Sequence, residues 1–196
     1  SGLIDPFLGV DAFDMPHHFF LPHPHGGMSA VTLLLDDSPG GVINRDSQGD
    51  HSTIEPGDLH WTQAGSGIIH EETPSQPGQS ARGLQIFVNM ARARKQDPAA
   101  VFKTERTAMP VWQGEGARLK VAAGCYAGLS APISADARWA TQVLVAPAMN
   151  PAMGLLRMPC WHCGYPKRKK QVGPWVHSGW WGGVGVGIAC AVVLCA

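Results

Sequence analysis

From position 20 to position 90 the apolar residues fall in short runs, each closed by a cluster of Gly, Pro, Asp or Ser. Ala30-Val31-Thr32-Leu33-Leu34-Leu35 runs into Asp36-Asp37-Ser38-Pro39-Gly40-Gly41, a dense turn signal. Val42–Arg45 is short and strand-like, and Asp46–Asp50 turns the chain again. His51–Ile54 and Leu59–Gln63 flank Glu55-Pro56-Gly57-Asp58, which predicts a turn with Pro at its second and Gly at its third position. Ala64-Gly65-Ser66-Gly67 delivers Ile68–Glu72, and Leu84–Met90 is a further strand. Strands recurring every ~8–12 residues are the spacing of a β-sandwich or barrel. Before them, Asp5–Pro16 reads as an extended leader. After them, Ala91–Lys95 reads as a helical turn limited by Pro98, and Val101–Trp112 as a connector. Arg118–Ala123 and Gln142–Val145 are the last strands expected, with a turn-rich Gly124–Ala135 between them.

Composition supports this reading and splits the chain. The 196 residues are 44% hydrophobic and 15% charged, enough apolar side chain for a real core. Gly (24) and Pro (16) are both abundant, which favours short strands and turns over long helices. The net charge of zero conceals an asymmetry. Residues 1–136 hold all 15 acids against 9 Lys and Arg (net −6), and residues 137–196 hold 6 bases and no acid (net +6). The mildly acidic body is a poor nucleic-acid binder. Cys125 stands alone in that body, so no disulfide framework is expected, and an intracellular, cytoplasmic setting (or nuclear in a eukaryote) follows. The opening residues show no secretory signal, and the apolar Val184–Ala196 stretch is shorter than the ~17 residues that span a bilayer, so no membrane insertion is expected.

Two pairs of ligand-capable side chains stand out. His23 and His25 flank Pro24, and His70 and Glu72 flank Glu71. A strand sends residues i and i+2 to one face, so each pair points together, while Glu71 points away. Pro24 removes a ladder donor and places its segment at a strand start or a sheet edge. Three imidazoles and a carboxylate form a mixed N/O set suited to a first-row transition metal. His17, His18, His51 and His60 are read as ordinary polar surface.

These residues carry a family resemblance. His23-Pro24-His25-Gly26, Glu55-Pro56-Gly57-Asp58-Leu59-His60-Trp61 and Ala64-Gly65-Ser66-Gly67-Ile68-Ile69-His70 followed by Glu72 are similar to the N-terminal cupin of the pirin family. Asp5-Pro6-Phe7-Leu8, Gly83–Asn89 and the Gly124–Ile133 segment match the same pattern. The resemblance implies an all-β fold, a cupin double-stranded β-helix or jelly-roll barrel. It implies one iron (Fe2+, or another divalent transition metal) on His23, His25, His70 and Glu72. It also implies oxygenase chemistry of the quercetin 2,3-dioxygenase type on a small aromatic, flavonol-type substrate. Glu72 would then act as catalytic base as well as ligand, in a pocket lined by such residues as Phe20, Val31, Leu33, Trp61 and Ile68. The alternative is a non-enzymatic iron-binding or redox-sensing module that works through a protein partner, as transcriptional cofactors do. A monomer is expected.

The chain departs from the family in two places. Gly26-Gly27 stands where many members have Arg after the second histidine, removing a charge near the site mouth. The second cupin expected after the first is replaced by a Trp/Gly/Cys-rich tail. The expected division is therefore a cupin over 1–115, a linker and incomplete second cupin over 116–150, and an irregular tail over 151–196 that reads as frameshifted, spliced-over or degenerate. In that tail Cys160-Trp161-His162-Cys163 lacks a second ligand pair at zinc spacing, and Lys167–Lys170 reads as a solvated charge run. The chain has no phosphate-binding loop, dinucleotide fingerprint or serine-nucleophile elbow.

Overall fold

The structure, a computed structural model, describes residues 6–17, 20–114 and 117–133, together with the short strands 143–145, 175–176 and 191–192. The chain divides into two compact units, 1–107 and 108–196. The first is built from nine strands: β1 (Phe7–Met15), β2 (Phe20–His25), β3 (Met28–Leu34), β4 (Val42–Asp46), β5 (His51–Ile54), β6 (Leu59–Gln63), β7 (Ile68–Pro74), β8 (Ala81–Asn89) and β9 (Ala100–Thr104). They form a five-stranded sheet in the order β1-β8-β3-β6-β9 and a four-stranded sheet in the order β2-β7-β4-β5. Every pairing in the two sheets is antiparallel. Strands that alternate between two sheets in this way make the jelly-roll barrel of a cupin.

Alternation along the strands sorts their side chains into an inner and an outer set. On β3 the inner residues are Ala30, Thr32 and Leu34; their partners are Phe87, Gln85 and Gly83 on β8, and Thr32 and Ala30 also face His60 and Thr62 on β6. One end of the interior is closed by an apolar cluster of Met15, Leu34, Val42, Ile54 and Ala81, with Phe13 and Phe20 packed against it. The other face of the five-stranded sheet is also buried. Val31, Leu33, Leu59, Trp61, Leu84, Ile86 and Val88 are each at most 7% exposed. This explains why β3 is apolar along most of its length.

Turn chemistry matches its sequence signals where the two sheets exchange strands. Gly57 has φ of +88°, and Asp58 N–H donates to the Glu55 carbonyl at 2.9 Å, closing the turn before β6. The expected leader is instead the nine-residue strand β1, laid along β8. The expected connector holds β9 and, in the second unit, β10 (Val111–Gly114). Arg92–Arg94 is one turn of 3-10 helix, the helical turn expected there. In the second unit β10 pairs with β11 (Ala117–Ala123), which pairs with a strand at Val143–Val145, over a core of Leu119 and Val121. Of the expected 151–196 tail, only a two-residue pairing of Trp175–Val176 with Ala191–Val192 is described. His18, Cys160–Cys163 and Lys167–Lys170 lie outside the described residues.

Candidate metal centre

Strand β2 is the edge of the four-stranded sheet, the position in which Pro24 costs no ladder hydrogen bond. Its neighbour β7 runs antiparallel, with His23 opposite His70 and His25 opposite Ile68. That register brings three imidazoles together inside the barrel. Their ring centroids are 4.9 Å apart for His23 and His25, 4.7 Å for His23 and His70, and 5.0 Å for His25 and His70. Among the described residues, these three form a group whose ligand atoms all lie within 4.8 Å of one another.

Hydrogen bonds decide which nitrogens face inward. His23 Nδ1 lies 2.7 Å from the Leu21 carbonyl and His70 Nδ1 lies 3.0 Å from Asn44 Oδ1, so both rings offer Nε2 to the centre. His25 Nε2 and His70 Nε2 are 3.1 Å apart. Two nitrogens bound at ~2.1 Å to one ion would lie ~3.0 Å apart at a right angle and ~3.4 Å apart at a tetrahedral angle. The spacing therefore already fits adjacent ligands of a single ion.

The electrostatics agree. Burial, reinforced by His23, His25 and His60, pushes His70 down to about 3. Burial and then His23 lower His25 as well. Both imidazoles are thus neutral near pH 7, with lone pairs that no proton contests. Glu72 is 3% exposed, and burial raises its carboxyl to about 7, opposed in part by a hydrogen bond with Thr32. Thr32 Oγ1 lies 2.6 Å from Glu72 Oε1 and 3.1 Å from Gln85 Oε1. Glu72 stands two residues beyond His70 on the same inward face, but its carboxylate is not in the imidazole group.

Comparison with known proteins decides the family. The pirin family model, described as Pirin, matches residues 3–88. Pirin-like protein 2 of Arabidopsis thaliana is 35% identical over 132 residues, covering 67% of this chain and 40% of its own length. A Geobacillus kaustophilus crystal structure superposes with a TM-score of 0.62 at 32% identity, covering 72% of this chain and 54% of that one. A quercetin 2,3-dioxygenase structure from Acinetobacter baumannii gives a TM-score of 0.62 at 27% identity, covering 74% and 54%. Over residues 3–88 the chain belongs to the pirin family. It spans between 40% and 50% of the length of the first curated relatives it matches.

Within this pirin cupin two sequence expectations need correction. His60 is not surface: it is 1% exposed on the inner face of β6, with Nε2 3.7 Å from Asp50 Oδ2. Burial lowers its basicity, against the pull of Asp50. Its place inside the barrel was readable only from register: Leu59-His60-Trp61-Thr62 alternates apolar and polar, which reads His60 as the solvent side, yet the strand is buried on both faces. Of the expected pocket lining, Phe20 and Ile68 share a face with the histidines, but Val31, Leu33 and Trp61 lie on the opposite face of their sheet. The inward neighbours there are Thr32, Gln85 and Phe87, the last with its ring 6.0 Å from that of His25. Asn44 on β4, bonded to His70, was not singled out by the sequence. Its only signal is parity with Val42, an inward position on a strand next to β7.

Proposed function

We propose that this pirin cupin, read as the N-terminal domain over residues 1–115, holds one divalent transition metal on His23, His25 and His70. Glu72 completes the set, iron is the metal, and the loaded site oxidises a small flavonol-type aromatic with dioxygen. The observation that carries this reading is the convergence of the imidazoles, with two Nε2 atoms 3.1 Å apart and the Nδ1 sides of His23 and His70 tied to protein oxygens. The likeness to the Acinetobacter baumannii quercetin 2,3-dioxygenase supports the substrate class. The ligand chemistry alone would also suit copper, nickel or zinc.

When bound, a divalent iron would supply Lewis acidity toward a substrate hydroxyl and the redox capacity that dioxygen chemistry requires. The rest falls to the chain. Phe87, Ile68 and Phe20 offer apolar surface on the inner faces of both sheets, suited to a flat aromatic ring. Glu72, with its carboxyl raised to about 7, is poised near neutrality to take a hydroxyl proton from the substrate. Thr32 holds one carboxylate oxygen and leaves the other to act. Burial of His70 and Glu72, each 3% exposed, keeps water away from both.

The test is anaerobic loading with Fe2+, followed by oxygen-dependent loss of quercetin absorbance. One metal per chain is expected, with turnover that disappears in His70→Ala and Glu72→Ala. A second reading, a metal-sensing module acting through a protein partner, draws on Leu21 and Ile69, 66% and 51% exposed on the two ligand-bearing strands. Stoichiometric metal without turnover would favour the module, and no stoichiometric metal would sink both.

A further inference from the structure

The imidazole of His70 is not held by its own strand. Its Nδ1 lies 3.0 Å from Oδ1 of Asn44, which is 0% exposed on β4, and Asn44 Nδ2 donates in turn to Asp50 Oδ2 at 2.9 Å. Asp50 closes the β4–β5 hairpin and is itself clamped. Its backbone N–H donates to Asp46 Oδ1 at 3.0 Å, its carbonyl accepts from the Asp46 N–H at 3.1 Å, and Ser52 Oγ donates to its Oδ2 at 2.7 Å.

The donor and acceptor pattern along this line has one consistent solution. An ionised carboxylate only accepts, so the side of the Asn44 amide that faces Asp50 must be its NH2. The amide oxygen then faces His70, and an amide oxygen also only accepts. Nδ1 of His70 must therefore carry the proton, which leaves the Nε2 lone pair pointing at His23 and His25. We propose that Asn44 and Asp50 are positioning residues that lock His70 in its Nδ1–H tautomer, making the β4–β5 hairpin an outer support of the metal site. Without the carboxylate, the amide can turn over and accept a tautomer that places a proton where the metal belongs.

The inference rests on the proposed metal site, but its first readout does not need the metal. In metal-free protein labelled with 15N-histidine, long-range 1H–15N spectra should show His70 as a single Nδ1–H tautomer. Asp50→Asn should give a mixture of tautomers, and Asn44→Ala should lose the Nδ1–H protection from solvent exchange. Titration with Fe2+ under argon should then show affinity lowered about 10–100-fold in Asn44→Ala, the usual effect of removing a ligand's hydrogen-bond partner, and by less in Asp50→Asn. If Asn44→Ala fails to fold, as a fully buried site allows, the partly exposed Asp50→Asn decides. An unchanged His70 tautomer with unchanged affinity in a folded Asp50→Asn protein overturns the proposal while the metal site stands. A wild-type protein that shows the Nδ1–H tautomer and binds no metal upholds the relay and overturns the function.

Discussion

The two sheets of the barrel divide the work unequally. The four-stranded sheet carries all three clustered imidazoles, Glu72, and the Asn44–Asp50 line behind His70. The five-stranded sheet contributes what surrounds them: Thr32 against Glu72 with Gln85 bonded to Thr32, His60 against Asp50, and Phe87 beside His25. Their outer faces differ as well. The larger sheet is buried on both sides along β3, β6 and β8, whereas the smaller shows Leu21, Ile69 and the Arg45–Glu71 pair on its outside. A sheet packed on both faces resists displacement, because moving any of its side chains opens a void on one side or a clash on the other. The rigid sheet thus serves as a wall against which the thinner sheet's clustered imidazoles are aligned. This predicts that the alignment fails first where the two sheets are joined.

The joint most exposed to this test is the turn Ala64–Gly67, which leads from β6 in the larger sheet to β7 in the smaller. Gly65 has φ of +53°, its carbonyl accepts from Gly27 N–H at 2.7 Å, and a methyl group on it would run into the Asp97 carbonyl oxygen. Gly65→Ala therefore meets both a left-handed backbone and fixed main chain. The expected cost is about 4 kcal/mol, seen as a Tm lower by roughly 10 °C in a thermal melt. A Tm within a degree or two of wild type would mean that the turn yields and that the sheets are not held in register there.

The contact between wall and smaller sheet is probed through Glu72, which Thr32 of the larger sheet holds and whose carboxyl is raised to about 7 by burial. In metal-free protein the folded state holds this proton more tightly than the unfolded chain does. Stability from the protonated form is therefore present below the ordinary carboxyl value, is lost as pH rises to about 7, and stays lost above it. The loss is at most about 3 kcal/mol. Glu72→Gln keeps an acceptor for Thr32 and drops the charge. In urea melts with a chelator it should be more stable than wild type at pH 8 and close to it at pH 4, and excess Fe2+ at pH 8 should reverse the order. Glu72→Gln less stable than wild type at pH 8 without metal would show that the buried carboxylate is already compensated. His70 runs the other way. Its basicity is lowered to about 3, so its contribution is complete above the ordinary imidazole value and fades as pH falls through the range between.

Most of the barrel was legible because its strands are short and bounded by Gly, Pro and Asp. The His-x-His and His-x-Glu pairs were legible because period-two alternation needs no knowledge of partners. What stayed hidden depends on register. β1 lacks alternation because its outward residues at the sheet edge are mixed, Leu8 and Val10 being exposed beside Asp11. His60 and Trp61 are adjacent, equally buried and on opposite faces, and only the pairing of Thr32 with His60 shows which one enters the barrel. Asn44 and Asp50 looked like strand and turn chemistry. Their tie to His70 is a contact across 26 and 20 positions of sequence, which no local pattern encodes.

The smallest expected effect gives the closest control, because it lies one residue from one of the largest. Glu71 and Glu72 are chemically alike and adjacent on β7, yet alternation sends Glu71 outward to Arg45, with Nη1 3.2 Å from Oε1. That pair is partly solvated, the arginine side chain 45% and the glutamate 22% exposed. Solvent screening and the entropy of holding two long side chains leave such a pair ~0–1 kcal/mol. Glu71→Gln should lower the unfolding free energy from urea melts by no more than that, with the difference shrinking in high salt. Its Fe2+ affinity, and the pH dependence of that affinity, should match wild type, whereas Glu72→Gln should alter both. An Fe2+ affinity that falls as far in Glu71→Gln as in Glu72→Gln would show the metal to be held by net negative charge on the strand and not by a carboxylate aimed into the barrel.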